Sequence, residues 1–124
     1  RGAFFVCKLQ FTVDRNQTLA MTYENISPSE AKSRMDANPE AVIVDVRRPD
    51  EFVTGHIPGA INVPLADIQD GNIPPCIADK NAVYLIYCRS GVRSVTAAVA
   101  LEKMGYTRLA NFGGILDWPY EIEH

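Results

Sequence analysis

Tyr84-Leu85-Ile86-Tyr87-Cys88-Arg89-Ser90-Gly91-Val92-Arg93-Ser94 is the stretch that decides how the rest of the chain is read. An apolar, strand-forming run stops at a cysteine. A small, basic, glycine-containing stretch follows, and a helical pattern then runs to about Met104 with Gly105 as its stop. A strand that feeds a tight loop into a helix turns successive backbone N–H groups inward, and the helix dipole adds partial positive charge. A thiol held there, with Arg89 and Arg93 nearby in sequence, loses its proton more readily than a free cysteine. The alternative, a cysteine buried at a strand end as a small apolar residue, fits poorly with two arginines and a glycine.

Working outward, the same alternation of elements recurs. Ser27-Pro28-Ser29-Glu30 joins an N-cap hydroxyl, a proline at the first helical position and a Glu three residues on, so it predicts a helix to about Ala37, halted by Asn38-Pro39. The run from Ala41 to Val46 is apolar and β-branched except for Asp45, the pattern of a central parallel strand covered on both faces. Pro49-Asp50-Glu51-Phe52 opens a short helix closed by Gly55, and Ile61-Asn62-Val63 reads as a short strand ending at Pro64. Leu109 to Phe112 predicts a last strand, with Gly113-Gly114 turning into a short helical segment around Ile115 to Trp118. Strands alternating with helices give an α/β fold with a mainly parallel sheet and helices on both faces.

Residues 1–22 read differently. Leu9, Phe11 and Val13 alternate with polar residues as a weak strand before the turn Asp14-Arg15-Asn16-Gln17. No apolar core or cleavage site of a secretory signal is present in this segment, so it is taken as an N-terminal extension or a leader before Met21, with the domain proper over 23–124. On the same ground the expected compartment is the cytoplasm.

Bulk properties remove several function classes. The 124 residues suit one domain, and 12 basic against 15 acidic side chains leave a net charge of -3 that recruits neither nucleic acid nor an anionic membrane. No apolar stretch approaches the roughly 20 residues of a membrane span. Cys7, Cys76 and Cys88 form no Cys-x-x-Cys pair and are too scattered for a disulfide framework. His56 and His124 lack ligand-like neighbours, so neither a metal nor another cofactor is expected.

In parallel α/β sheets ligands bind beyond the carboxyl ends of the strands. Cys88 is predicted at one such end and Asp45 and Arg47 at another, so the two regions can converge into an anion-accepting cradle around a nucleophilic sulfur.

These residues resemble the rhodanese-like sulfurtransferases. The resemblance covers about residues 23–118 and rests on separated motifs in order: Val44-Asp45-Val46-Arg47, Glu51-Phe52 leading to Gly55-His56-Ile57-Pro58-Gly59-Ala60, the Cys88 loop, Gly105-Tyr106, and Gly113-Gly114 with Trp118. It implies a small five-stranded parallel α/β domain. It also implies a cycle in which Cys88 takes a sulfane sulfur from thiosulfate, a persulfide or a polysulfide, becomes a persulfide, and passes the sulfur to a thiol or cyanide acceptor, protein thiols included. Arg47 matches a position where the family can place a substrate-contacting arginine; a structural arginine is the equal alternative.

The remaining roles follow from chemistry beside that resemblance. Backbone N–H groups from Arg89 through Ser90, Gly91, Val92, Arg93 and Ser94 are placed to stabilise a thiolate and then a persulfide anion. Arg89 and Arg93 favour anionic donors, or one of them forms an ion pair with Asp45 or Glu51, which are expected to support the site from behind. The spacing Cys88 to Arg93 is Cys-x4-Arg, one residue shorter than the loop of cysteine phosphatases; a shorter ring of donors suits one sulfur atom better than a phosphate. A Cys-dependent phosphatase or arsenate reductase is therefore a minor reading, and a non-enzymatic recognition module is another. Ser90 stands where the vertebrate thiosulfate enzymes have Lys; Arg89 and Arg93 stand where the mercaptopyruvate enzymes have Gly and Thr, so the donor is left open. The tail after Trp118 also lacks the family's frequent Gly-x-Pro ending. His56 is expected to orient a turn, Trp118 to pack in the core or a pocket wall, and Cys76 to be a loop thiol or a thiol that resolves the persulfide; Cys7 has no assigned role.

Overall fold

A computed structural model describes residues 23–124; the strand expected over Leu9–Val13 and the role of residues 1–22 lie outside them. Five parallel strands form one sheet, in the spatial order Tyr23–Asn25, Leu109–Gly114, Tyr84–Cys88, Val42–Asp45, Ile61–Asn62. They are β1 (Tyr23–Asn25), β2 (Val42–Asp45), β3 (Ile61–Asn62), β4 (Tyr84–Cys88) and β5 (Leu109–Gly114). The helices are α1 (Pro28–Ala37), α2 (Pro49–Phe52), α3 (Leu65–Gln69) and α4 (Val92–Lys103), with 3-10 turns at Pro75–Ile77 and Ile115–Asp117.

β4 lies in the middle of the sheet, and its side chains alternate between two apolar layers. Tyr84, Ile86 and Cys88 pack on one face with Ala97, Ala98 and Leu101 of α4 and Ile68 of α3. Leu85 and Tyr87 pack on the other with Ala31 of α1, Ile57, Phe112 and Trp118. Covering both faces is what makes β2 and β4 read as unbroken apolar runs. Among the described residues no helix is long and apolar enough to cross a membrane.

Local chemistry sets the boundaries. The Ser27 hydroxyl accepts the Glu30 N–H at 3.0 Å and caps α1, while the Glu30 carboxylate turns to Arg34 at 2.9 Å instead of closing the box. At α2 the Glu51 carboxylate does reach back, accepting the Arg48 N–H at 3.0 Å. Three elements carry no sequence signal. β1 is three residues with a single buried side chain, Tyr23, and exists through its pairing with β5. α3 and the turn at Pro75–Ile77 are too short to show a period. The strand expected to end at Phe112 runs on through Gly113 and Gly114, because the pairing skips one residue: Ile86 faces Asn111, and Cys88 then faces Gly114. That extra residue in β5 is a bulge, and Gly113 within it has φ of +94°.

Candidate active site

Cys88 ends β4, and Gly91 is the residue before α4. Gly91 sits in the left-handed region with φ of +104°, which only glycine adopts at little cost, and this turns its N–H onto the Cys88 Sγ at 3.0 Å. The Ser94 hydroxyl stands 3.6 Å from the same sulfur and is itself 3.4 Å from the Gly113 carbonyl. Its proton can serve the carbonyl when the thiol is protonated and the sulfur when it is not. Burial pushes the Cys88 thiol up. The Ser94 hydroxyl and the N–H groups of Ser94, Gly91 and Ser90 outweigh that burial and hold the thiol below its ordinary value.

The loop is seated by an absence of side chain beneath it. A Cβ on Gly114 would lie 2.6 Å from the Ser90 Cα and 2.5 Å from the Arg89 carbonyl carbon, with the Arg89 carbonyl oxygen nearer still. Gly114 has φ of -132°, so this glycine is demanded by close approach alone. Cys88 is 0% exposed, so its sulfur lies within the fold, beneath the surface of the site.

The charged residues divide into pairs. Arg93 grips Glu51 with two parallel hydrogen bonds of 2.7 and 3.0 Å. Arg93 is the chief cause, against an opposing burial effect, that lowers the Glu51 carboxyl from 4.5 to about 2. The pair ties the first turn of α4 to α2. Asp45, fully buried, takes the Arg47 Nε at 3.0 Å and Nη2 at 2.7 Å, and Nη2 also donates to the Gly55 carbonyl at 2.7 Å. Arg47 is thus 4% exposed with its Nε and Nη2 both engaged, bracing the Gly55-His56 turn against β2. Asp45 meets Arg47 and not Arg93. Arg89 is exposed, and among the described residues its guanidinium makes no ion pair or hydrogen bond.

Other sequence candidates lie apart. His56 stacks on Phe52 with ring centres 3.9 Å apart, and its ring nitrogens face the Phe52 carbonyl at 3.1 Å and Glu123 at 3.2 Å. Cys76 is an exposed thiol in a 3-10 turn. No cluster of metal-ligating side chains occurs among the described residues. What sequence reasoning did not see is the part played by Gly114 and by the Gly113 carbonyl. The Gly113-Gly114 pair was visible, but a glycine pair signals a turn at least as readily as a close approach between chains.

A parallel α/β domain with a cysteine at a strand end, its sulfur met by the N–H groups of the loop that follows, defines a cysteine-loop α/β protein. Residues 27–120 match the family model described as the Rhodanese-like domain, and the chain belongs to that family. It is 39% identical over 74 residues, 60% of this chain and 70% of the relative, to the thiosulfate sulfurtransferase PspE of Escherichia coli strain K12. It is 42% identical over 94 residues to a protein named sulfurtransferase from Allochromatium vinosum, covering 73% of this chain and 83% of that one. The crystal structure of a rhodanese-like domain protein from Staphylococcus aureus superposes with a TM-score of 0.69 at 33% identity, covering 81% of this chain and 96% of that one. Sulfurtransferase is the enzyme class these relatives support.

Proposed function

We propose that the chain transfers a sulfane sulfur from a small anionic donor, thiosulfate or a persulfide, to a thiophilic acceptor through a persulfide on Cys88. The observation that carries this reading is the Gly91 N–H donated to Sγ from 3.0 Å with the Ser94 hydroxyl 3.6 Å from the same atom. The Cys88 thiolate attacks the outer sulfur of the donor. The donor's sulfur–sulfur bond breaks, and its electron pair leaves with sulfite or with the donor thiolate. The new persulfide anion is stabilised by the loop N–H groups that already act on Sγ, those of Ser90, Gly91 and Ser94. Cyanide or a thiolate, including one on a protein, then attacks the terminal sulfur, leaves as thiocyanate or a persulfide, and restores the Cys88 thiolate.

In this reading Arg89 attracts the donor, because Arg93 is committed to Glu51 and Arg47 to Asp45. Arg93, Glu51, Asp45 and Arg47 then act as positioning residues that fix the loop and the Gly55 turn. The test is intact-protein mass spectrometry after incubation with thiosulfate. Wild type is expected to gain the mass of one sulfur and lose it on adding cyanide, and Cys88→Ser to gain nothing. An unchanged mass with every sulfane donor tried refutes the proposal. Turnover of an aryl phosphate or arsenate in its place would install the phosphatase reading.

A further inference from the structure

Among the described residues four polar side chains are buried: Asp45, Arg47, Ser94 and Asn111. Asp45 and Arg47 satisfy each other, and Ser94 stands beside the Cys88 sulfur. Asn111, 7% exposed in the otherwise apolar strand β5, is bonded to none of these side chains. A buried carboxamide in such a strand is costly unless its oxygen and its nitrogen both find partners.

Both ends of Asn111 are taken, and their direction is fixed. The Gly113 N–H can only donate, so the Asn111 Oδ1 faces it at 3.1 Å, and Nδ2 is left to donate to the Asn25 Oδ1 of β1 at 3.0 Å. An asparagine that accepts from the N–H two residues on closes an Asx turn. Here that turn lies inside the β5 bulge, between the pairing of Ile86 with Asn111 and that of Cys88 with Gly114. A bulge takes its extra residue out of the regular ladder, and a side-chain hydrogen bond there fixes what the ladder leaves loose.

Gly113 touches both groups that meet the Cys88 sulfur. A Cβ on Gly91 would lie 3.3 Å from the Gly113 Cα, so the residue whose N–H reaches Sγ rests directly on it. The Gly113 carbonyl lies 3.4 Å from the Ser94 hydroxyl, the other group on Sγ. We infer that Asn111 is a positioning residue for Cys88: by pinning Gly113 it sets where the Gly91 N–H and the Ser94 hydroxyl stand relative to Sγ. Asn25 orients the Asn111 carboxamide, which ties the edge strand β1 to the site. This role rests on the Cys88 persulfide reading for its effect on turnover; its effect on the thiol is independent of that reading.

The experiment records, on the full chain, the pH dependence of iodoacetamide alkylation read on the Cys88 peptide by mass spectrometry, the rate of persulfide formation from thiosulfate, and the urea midpoint. N111A is expected to move the alkylation profile up by about one pH unit, the size of one hydrogen bond to a charged group. It is expected to slow persulfide formation by about tenfold, less than outright loss of a donor to the reacting anion. N111S keeps a hydroxyl that accepts the Gly113 N–H more weakly, so its profile should fall between N111A and wild type. N25A, at an exposed position, is expected to shift the profile in the same direction by less, and to add nothing on top of N111A. L109V removes apolar packing from the same strand and is expected to lower the urea midpoint while leaving the profile in place. A folded N111A with the wild-type profile, or an L109V that shifts it equally, overturns the assignment. So does a wild-type profile in both N111S and N25A should N111A not fold. If N111A shifts the profile while wild type forms no persulfide with any sulfane donor, the positioning role stands and the persulfide reading falls.

Discussion

Replacing Gly114 with alanine adds one methyl group at a place where the backbone itself has no objection. With φ of -132° any residue can occupy the position, so backbone strain contributes nothing. The new Cβ would lie 2.6 Å from the Ser90 Cα, where real contacts stay beyond 3.0 Å, and would press harder still on the Arg89 carbonyl. Neither neighbour is the free end of a flexible side chain, so the backbone from Arg89 to Ser90 has to retreat by about 1 Å or β5 has to give. Overpacking of this kind costs about 1–3 kcal/mol of stability, which leaves a folded protein. The site suffers more. The Gly91 N–H is carried away from its 3.0 Å contact with Sγ, and a misplacement of about 1 Å near reacting groups costs roughly a hundredfold in rate.

Two assays read the two consequences of G114A. The pH dependence of Cys88 alkylation by iodoacetamide is expected to move to higher pH, because the N–H groups that hold the thiol down are displaced while burial, which pushes it up, persists. Persulfide formation from thiosulfate is expected to fall about a hundredfold. Gly71→Ala is the control: its φ of +80° imposes strain, but nothing lies within 4 Å of the added methyl group, so it should lose stability and keep both site properties. If G114A is folded and retains the wild-type alkylation profile and rate, the cradle is not seated by this close approach, and the reasoning fails.

Two further outcomes follow from the ion pairs. Glu51 has a carboxyl lowered from 4.5 to about 2, so its contribution to stability is complete above about pH 4.5 and is lost as the pH falls towards 2. With Arg93 partly open to solvent that contribution is on the order of 1 kcal/mol, and urea midpoints compared at pH 6 and pH 3 should fall less in E51Q than in wild type. Asp45→Asn strips the partner from Arg47 inside the fold, an uncompensated buried charge that costs about 3–5 kcal/mol; urea unfolding near neutral pH measures it, and a loss below about 1 kcal/mol would show Arg47 finding water or another acceptor.

The order of elements and the place of Cys88 at a strand end were legible in the chain because both are local. Continuous β-branched and apolar runs at Val42–Asp45 and Tyr84–Cys88, with helices between them, leave few arrangements other than a parallel sheet covered on both sides. A cysteine between such a strand and a glycine-led helix must sit at the carboxyl edge, and the separated motifs gave its family. Sequence proximity could not say what each arginine does. Arg89, Arg93 and Arg47 are equivalent as letters, yet one is open, one is clamped by a carboxylate 42 positions away in the chain, and one is buried against Asp45. Pairing depends on which helix start faces which strand end, and only the packed sheet settles that.

β1 and Gly114 carry the same lesson. Tyr23–Asn25 has no strand pattern and becomes a strand because the edge of β5 offers it hydrogen bonds. Gly113-Gly114 reads as a turn and is a bulged strand, because the pairing of Cys88 with Gly114 brings the loop down onto bare backbone. By itself the sequence determined the α/β fold class, the family and the position of Cys88 at a strand end, since each is written in patterns along the chain. Only the tertiary structure decided which charges remain available and what supports the loop, since contacts between elements follow from close packing across the sheet, which no local pattern encodes.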